Sequence, residues 1–343
     1  MKTYISIICL SLYLFSCGGG NNNTVPNPPV ENTVPNPPVE NTVSNPPEQS
    51  SLAKSYLSEV LNIMRENSVS RYQVDWANLE SEINTLAENA NTIQDTFPAI
   101  TKALELLGTN HSFLRSASGD LLAFHSTLNC EHPFEIKEPF IENIGYIKVN
   151  GFSSDNDDAI KNFATNIQKS IAQQDNENLL GWVVDLRDNT GGNMWSMIAG
   201  LGPLFNDNVL GHFIDVDENI VSWGYENGSS LMGNRKIVSV DEPYYLLNSL
   251  PKIAVLSSKR LASSGEATLI AFKYQFNVRT FGTDTCGLST ANQMFTLSDG
   301  SELILTTAIM ADREQNKFGN SVSVHQLEAQ EDVLNKAIEW LQQ

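Results

Sequence analysis

Two apolar runs, each followed by a turn of small residues and then by a helical pattern, constrain the fold of this chain most strongly. The first run, residues 182–186, leads into residues 187–194 with their Gly-Gly pair; the second, residues 253–256, leads into residues 257–266. Short apolar runs bounded by turn signals are typical of buried strands. The succession of strand, turn and helix predicts an α/β core.

Neighbouring segments extend this core. Residues 145–149 predict a strand and residues 155–172 an amphipathic helix. Asp299-Gly300 is a hairpin turn between two further strands, and residues 328–341 predict a closing amphipathic helix.

The segment before the core has a different pattern. Apolar residues recur at helical spacing from Ser51 to Leu107, and Gly108 is a typical helix stop. We therefore expect a small helical N-terminal subdomain over residues 52–107, followed by the α/β domain over residues 108–343.

The first 17 residues have the pattern of an export signal. Lys2 supplies a positive charge, and residues 5–15 form an apolar run too short to span a bilayer. Ser16 precedes Cys17, which resembles a bacterial lipoprotein signal in which the cysteine is lipidated and becomes the new N-terminus. An ordinary secretory signal cleaved nearby is the alternative. In both cases we expect an exported protein, and a lipid on Cys17 would anchor it to a bacterial membrane.

Residues 18–51 lack the composition of a folded segment. A nine-residue unit occupies residues 23–31, recurs over residues 32–40 and decays over residues 41–49. The Pro-Pro pair in each unit removes backbone donors and favours polyproline II. We expect a disordered, semi-rigid tether.

The net charge of −19 limits the partners of this chain. So acidic a protein is repelled by nucleic acid and by anionic lipid, whereas cationic peptides are compatible with it. No Cys or His pair has the spacing of zinc ligands, so no metal or other cofactor is predicted. Cys130 and Cys286 remain after export and are able to form one disulfide, although the sequence does not give their separation in space.

Ser263 lies in the turn between the second buried strand and its helix. A serine in such a turn exposes its hydroxyl beside backbone N–H groups that point to a developing oxyanion. Ser263 also has capping-box spacing with Glu266, so a plain helix cap is the alternative interpretation. The two roles are compatible, because a helix N-terminus stabilises negative charge.

His111 follows the last helical segment of the N-terminal region, in a loop of Gly, Asn and Ser residues. An imidazole with a pKa near 6.5 is neutral at working pH and suits a general base. The remaining histidines have no distinctive setting, and we expect them to be structural or at the surface: His125, His132, His212 and His325.

Five segments in order resemble the signature of the tail-specific, or C-terminal processing, serine peptidases. They are Gly145-Tyr146-Ile147, residues 185–192, residues 262–266, Phe281-Gly282-Thr283, and Asp299-Gly300-Ser301 with Thr306-Thr307-Ala308. The resemblance implies a fold of the Clp protease/crotonase type, with Ser263 as the nucleophile.

Two departures point to one branch of that family. The lysine base of the C-terminal processing enzymes would fall on Leu288, which cannot accept a proton, so a Ser/Lys pair would need Lys259 or Lys273 instead. The 33 residues between His111 and Gly145 are too few for the PDZ domain of those enzymes. Both departures agree with the branch that includes the nisin resistance protein, which lacks this domain and uses a Ser/His pair.

The resemblance to this branch implies a role for several residues. His111 becomes the general base, and the backbone N–H groups of Ser264 and of Gly191 or Gly192 form the oxyanion hole. Three residues of the turn after the first buried strand are expected to line the peptide groove: Asn189, Asn193 and Met194. An acid that orients His111 is not identified; Asp312 and Glu314 are candidates.

The sequence thus predicts an exported, lipid-anchored serine peptidase that acts on peptides or unstructured protein tails. A binding lipoprotein that keeps the fold but does not cleave is the main alternative. An esterase is a third interpretation, although Ser263 lacks the Gly-x-Ser-x-Gly elbow usual in α/β-hydrolases. The oligomeric state is not predicted.

Overall fold

A computed structural model of the protein describes residues 50–131, 142–206 and 208–343. The predicted export signal with Cys17, most of the repeat segment, and His132 lie outside the described residues. Within them the helices are α1 (Ser51–Asn67), α2 (Trp76–Leu86), α3 (Phe97–Leu107), α4 (Asp157–Gln174), α5 (Met194–Leu201), α6 (Ser264–Phe272) and α7 (Val333–Leu341), with 3-10 turns at Gln94–Thr96 and Gly202–Leu204.

The strands of the described residues form two sheets. They are β1 (Phe113–Arg115), β2 (Leu121–Phe124), β3 (Ile144–Lys148), β4 (Gly181–Asp185), β5 (Val209–Asp215), β6 (Ile220–Glu226), β7 (Ser229–Met232), β8 (Arg235–Ser239), β9 (Lys252–Ser257), β10 (Val278–Gly282), β11 (Thr290–Thr296), β12 (Glu302–Asp312) and β13 (Gln326–Leu327).

The five-stranded sheet is parallel throughout, in the order β13-β10-β9-β4-β3. Its two central strands, β4 and β9, are buried along almost their whole length because helices cover both faces. Both strands end at the same edge of the sheet, since they are parallel and in register from Gly181 opposite Lys252 to Asp185 opposite Leu256. The two small-residue turns are therefore neighbours.

The eight-stranded sheet is antiparallel, in the order β2-β1-β12-β5-β6-β7-β8, with β11 paired to β12. Helices α4, α5 and α6 lie between the two sheets, and the main apolar core includes side chains from all three layers, such as Ile198, Val255 and Phe213. Helix α7 covers the other face of the parallel sheet, where Val333, Ala337 and Leu341 pack on Phe281 and its neighbours.

The N-terminal helices are not separate from the second sheet. Leu104 and Leu107 of α3 belong to the same apolar cluster as Leu114 of β1 and Leu303 and Leu305 of β12. The Tyr56 hydroxyl of α1 also lies 2.7 Å from the Ser301 hydroxyl beside β12. The helical region is present as predicted, and it shares its core with the antiparallel sheet.

The predicted α/β fold is confirmed, although element bounds shift and several strands were not predicted. Helix α4 runs over Asp157–Gln174 and not over residues 155–172. Helix α7 begins at Val333, not at residue 328, because residues 326–327 add the edge strand β13 and the Glu328 N–H donates to the Gly282 carbonyl at 2.9 Å. Strands β5 to β8, like the short strands β1, β2 and β13, follow no motif recognised in the sequence. None of the helices in the described part of the chain is both long and apolar enough to cross a bilayer.

Candidate active site

Ser263 occupies the sharp turn between β9 and α6. Its backbone has φ 54° and ψ −119°, a conformation that is strained for a residue with a side chain. Ser263 is only 1% exposed, and no hydrogen bond to its Oγ is present within the described residues. The Ser263 N–H donates to Glu266 Oε2 at 2.8 Å, so the two residues have the capping-box arrangement that their spacing indicated, and the turn is fixed. This cap is compatible with a nucleophilic role, because no partner among the described residues holds the Ser263 hydroxyl.

The Gly-Gly turn after β4 packs directly against this serine. The Ser264 hydroxyl donates to the Gly192 carbonyl at 2.6 Å, and the Ala262 N–H donates to the Asn189 carbonyl at 3.1 Å. Gly191 has φ +104°, and a Cβ there would lie 2.8 Å from the Cβ of Ser263. Only glycine permits this approach.

A buried ion pair anchors the Gly-Gly turn at its start. The Asp185 carboxylate accepts bonds from Arg187 Nε at 2.9 Å and Nη2 at 2.6 Å, and from the Tyr146 hydroxyl at 2.7 Å. Both charged side chains are at most 3% exposed. Because the guanidinium donates two hydrogen bonds to the carboxylate, the ion pair holds the end of β4 in one geometry.

His111 lies near the end of the loop between α3 and β1. The Asn292 side chain of β11 donates to the His111 carbonyl at 2.9 Å. The next residue, Ser112, accepts the Thr306 N–H of β12 at 3.0 Å through its hydroxyl. This buried polar network joins the His111 loop to the antiparallel sheet.

The His111 ring is held by a hydroxyl. Its Nδ1 lies 2.7 Å from Oγ1 of Thr290, and its Nε2 is buried without a hydrogen-bond partner among the described residues. Burial lowers the pKa of His111 to about 4. When Nδ1 carries the proton and donates to Thr290, Nε2 has a free lone pair, so the ring is a neutral base over most of the pH range.

His111 and Ser263 line one cavity of about 280 Å³. The two unpaired atoms, His111 Nε2 and Ser263 Oγ, are not hydrogen-bonded to each other. The wall of the cavity is mostly apolar and has one charge of each sign; its residues are Asn110, His111, Phe124, Ser126, Leu128, Asn129, Cys130, Glu131, Thr190, Arg260, Ala262, Ser263 and Leu288.

Several residues that were expected to bind the oxyanion or the peptide have structural roles instead. The Gly191 N–H donates to Asn189 Oδ1 at 2.9 Å, so the Asn189 side chain braces the turn and is fully buried. Met194 belongs to the main apolar core at 1% exposure, because the short helix α5 is buried on all sides. Asn193 caps α5 by accepting the Ser196 N–H at 3.1 Å. None of these side chains is among those that line the cavity.

The candidate acids for His111 are elsewhere, which corrects the expectation for Asp312 and Glu314. The Asp312 carboxylate accepts the N–H groups of Glu314 at 3.0 Å and of Asn316 at 2.9 Å, so it closes its own turn. Glu314 is exposed. Thr290 is the residue that contacts Nδ1, and no motif pointed to it, because a threonine in a strand has no distinctive pattern.

The two lysines considered as bases have other partners. Lys259 Nζ donates to the carbonyls of Thr285 and Cys286, both at 3.3 Å. Lys273 Nζ donates to the Ser323 carbonyl at 2.9 Å. Leu288, at the position of the family lysine, lines the cavity as an apolar wall.

A disulfide involves Cys130, one of the residues that line the cavity. Cys130 and Cys286 are bonded, with their Cα atoms 5.1 Å apart, so the segment around Cys130 is tied to the loop before β11. Across the described ranges, His, Cys, Asp and Glu side chains form no group of three that could hold a metal ion.

Comparison with known proteins identifies relatives of this chain. Residues 143–325, more than half of the chain, match peptidase family S41. The nisin-resistance protein of Lactococcus lactis subsp. lactis is 28% identical over 288 residues, which cover 84% of this chain and 86% of that protein. The carboxy-terminal processing protease CtpA of Bacillus subtilis is 29% identical over 175 residues, covering 50% of this chain and 32% of the relative.

A solved structure shares the fold. A lipoprotein from Streptococcus agalactiae superposes with a TM-score of 0.68 at 22% sequence identity, over 85% of this chain and 97% of the other. At that identity the likeness concerns the fold alone, and it extends over the N-terminal helices as well as the α/β core.

Proposed function

The chain belongs to peptidase family S41, and on that premise we propose that it is an extracytoplasmic, lipid-anchored serine peptidase that hydrolyses peptide bonds in peptides or unstructured protein tails. One observation carries the proposal. A buried serine hydroxyl and a buried imidazole nitrogen, both without hydrogen-bond partners in the described part of the chain, line the same cavity. Unsatisfied buried polar groups are rare in folded proteins, and two in one cavity suit a reaction between them.

In the proposed reaction, Ser263 Oγ attacks the peptide carbonyl while neutral His111 accepts its proton through Nε2. His111 then returns this proton to the leaving amine, and water cleaves the acyl-enzyme by the same route. The missing hydrogen bond between the two side chains is compatible with this role, because catalytic hydrogen bonds often tighten only when substrate is bound.

The oxyanion of the tetrahedral intermediate would be bound by backbone N–H groups beside Ser263. We assign this role to Ser264, at the N-terminus of α6, and to the Gly191-Gly192 turn. Gly192 suits it better than Gly191, whose N–H is already donated to Asn189. The positive end of the α6 dipole adds to the stabilisation of negative charge.

The proposed location rests on the N-terminal sequence. The apolar run and Ser16-Cys17 suit export and lipidation, and the proline-rich repeat suits a tether between lipid and enzyme. The Streptococcus agalactiae protein that shares the fold is itself described as a lipoprotein. The proposed partners are a peptide substrate and a membrane reached only through the lipid, without nucleic acid.

The experiment that tests this function compares the full chain, purified in detergent, with its Ser263→Ala and His111→Ala variants. Each is incubated with a mixed peptide library that includes cationic peptides, and the products are identified by mass spectrometry. We expect the wild type to cleave and both variants to lose cleavage. Peptides retained but left intact by all three proteins would favour the binding lipoprotein, and cleavage that survives His111→Ala would exclude histidine as the base.

A further inference from the structure

The carboxylate of Glu266 is buried in the first turn of α6, just behind the candidate nucleophile. Its side chain is 0% exposed, and no cationic side chain is bonded to it within the described residues. A buried carboxylate without a cation is costly unless hydrogen bonds satisfy it. Its hydrogen bonds therefore indicate why the position tolerates a glutamate.

Four donors surround this carboxylate, two on each oxygen. Oε2 accepts the N–H groups of Ser263 and Leu288, both at 2.8 Å. Oε1 accepts the Gly287 N–H at 3.0 Å and the Thr285 hydroxyl. The Thr285 oxygen itself accepts the Val322 N–H at 2.8 Å, so its proton is directed to Glu266. Only an ionised carboxylate accepts all four bonds, because a protonated carboxyl or an amide would place a donor against donors.

These donors belong to the two halves of the candidate site. Ser263 is the nucleophile of the proposed reaction, whereas Gly287 and Leu288 belong to the loop that leads into β11. Thr290, two residues after Leu288, lies 2.7 Å from Nδ1 of His111. One carboxylate thus contacts the backbone of the serine and the loop that carries the partner of the histidine.

We propose that Glu266 is a positioning residue that joins the Ser263 turn to the 285–290 loop, and so sets the position of His111 relative to Ser263. This inference rests on the proposed function, because it assigns the two side chains to one reaction. Glu266 touches no reacting atom; it acts through the Ser263 N–H and through the loop that ends at Thr290.

The protonation of Glu266 makes this link sensitive to pH. Burial raises the pKa of Glu266 to about 7, although its four hydrogen bonds oppose the rise. Its direct contacts are uncharged. The charged or titratable groups on the described elements around it include Lys259, which bonds to the carbonyls of Thr285 and Cys286, and Asp284 at the surface of the loop. Arg260 and His111 line the cavity, and Lys273 lies at the C-terminal end of α6. Below about pH 7 the carboxyl group of Glu266 binds a proton, and this proton faces one of the four donors in place of a lone pair. One hydrogen bond is lost, and the carboxyl group holds the Ser263 turn and the 285–290 loop together less firmly.

The test measures how fast a fluorophosphonate probe labels Ser263 in the full chain, as a function of pH. We expect the wild-type rate to fall on the acid side with a midpoint near 7, well above the pKa of His111. Thr285→Val removes a donor that favours the charged carboxylate, so its midpoint should move to higher pH. In Glu266→Gln we expect Ser263 to be labelled on the order of 100-fold more slowly, because the reacting groups are no longer correctly positioned. The midpoint near pH 7 should also be absent from this variant.

The matched control is Glu302→Gln in β12, where the glutamate pairs with Arg115 at 2.6 Å away from the cavity. It should keep the wild-type rate and midpoint. A wild-type midpoint that Thr285→Val leaves unmoved, or a midpoint near 7 that persists in Glu266→Gln, would overturn the proposal. Thr285→Val keeps the test valid if Glu266→Gln fails to fold.

A second readout does not depend on reactivity. In amide NMR spectra of the ¹⁵N-labelled full chain in detergent, the N–H signals of Ser263, Gly287 and Leu288 should titrate together with one midpoint near 7. Glu266→Gln should abolish this common titration. If the three amides titrate independently, the link is wrong even in an active enzyme. If they titrate together but the probe never labels Ser263, the proposed peptidase function fails while the hydrogen-bonded link stands.

Discussion

At the scale of single residues, the state of His111 decides what the site can do. A neighbouring carboxylate would favour the protonated form of a buried imidazole and raise its pKa. His111 instead contacts the neutral hydroxyl of Thr290. Burial therefore dominates, and the pKa falls to about 4. The ring is a neutral acceptor at the pH where a general base must work, and Thr290 orients it without charging it.

Thr290→Val should lower kcat/KM by about 10- to 100-fold, because it leaves Nδ1 without a partner and frees the ring to rotate. Thr290→Ser should restore most of the loss. The measurement is cleavage of a peptide that the wild type cuts. Thr280→Val is the matched control, since it removes a similar bond, from Thr280 Oγ1 to His325 Nδ1 at 3.0 Å, away from the cavity. Equal losses in Thr290→Val and Thr280→Val would refute an orienting role.

His111 should also make the stability of the fold depend on pH. In the unfolded chain it binds a proton below about pH 6.5, whereas the folded chain resists protonation until about pH 4. The unfolding free energy should therefore decline as pH falls through this window, by about 2 kcal/mol between pH 7 and pH 5 from this residue. Urea unfolding of the wild type and of His111→Gln measures it. The variant should decline less by about that amount; parallel declines would contradict the burial of a neutral ring.

At the scale of elements, the site is built where two parallel strands end side by side. The turn after β4 and the turn after β9 bond to each other through Ser264 and Gly192, and through Ala262 and Asn189. Glycine is required where the backbones approach. Gly192 has φ +117°, and a Cβ there would lie 1.9 Å from the Phe152 carbonyl oxygen.

Gly192→Ala should consequently reduce both stability and activity, because the added methyl pushes the turn away from residue 152 and shifts the N–H groups beside Ser263. Gly119→Ala is a control with a similar backbone, φ +92°, but with no atom within 4 Å of the new methyl. It should cost only about 1 kcal/mol of backbone strain. Urea midpoints and labelling rates of Ser263 compare the two. Losses of equal size would mean that conformation, and not the close approach, requires glycine at residue 192.

At the scale of the whole molecule, the N-terminal helices and the antiparallel sheet are one packing unit. Leu104 of α3 and Leu303 of β12 are in one apolar cluster. The loop that carries His111 runs directly from α3 into β1, and β1 pairs with β12. The helices therefore support the position of the candidate base, so their loss should affect the site.

Leu104→Ala should destabilise the entire described fold, by about 2 to 5 kcal/mol as for other buried leucines. Unfolding followed by tryptophan fluorescence and by loss of Ser263 labelling should shift to lower urea together. Leu52→Ala in α1 is the control, because Leu52 is 59% exposed, and it should leave both midpoints unchanged. If Leu104→Ala moved only one of the two midpoints, the helical region would be an independent domain.

Much of the parallel sheet could be predicted because its signal is local. Each buried strand is a short apolar run. The turns after β4 and β9 are marked by small residues within a few consecutive positions, so both signals are local in the sequence. The antiparallel strands β5 to β8 were missed. Strands β6 and β8 include exposed residues, and the buried part of β5 is interrupted by Gly211 and His212, so no continuous apolar run marks these strands.

The sequence by itself determined the α/β class, the helical N-terminal region, the family resemblance and the singling out of Ser263 and His111, whose catalytic roles stay predictions. Tertiary structure alone decided that Thr290, not Asp312 or Glu314, contacts the histidine, that Asn189 and Met194 are buried, and that Cys130 meets Cys286. The physical reason is sequence distance. His111 and Thr290 are 179 positions apart, and the two cysteines 156. Contacts across such distances depend on how the two sheets pack, which no local pattern of residues encodes.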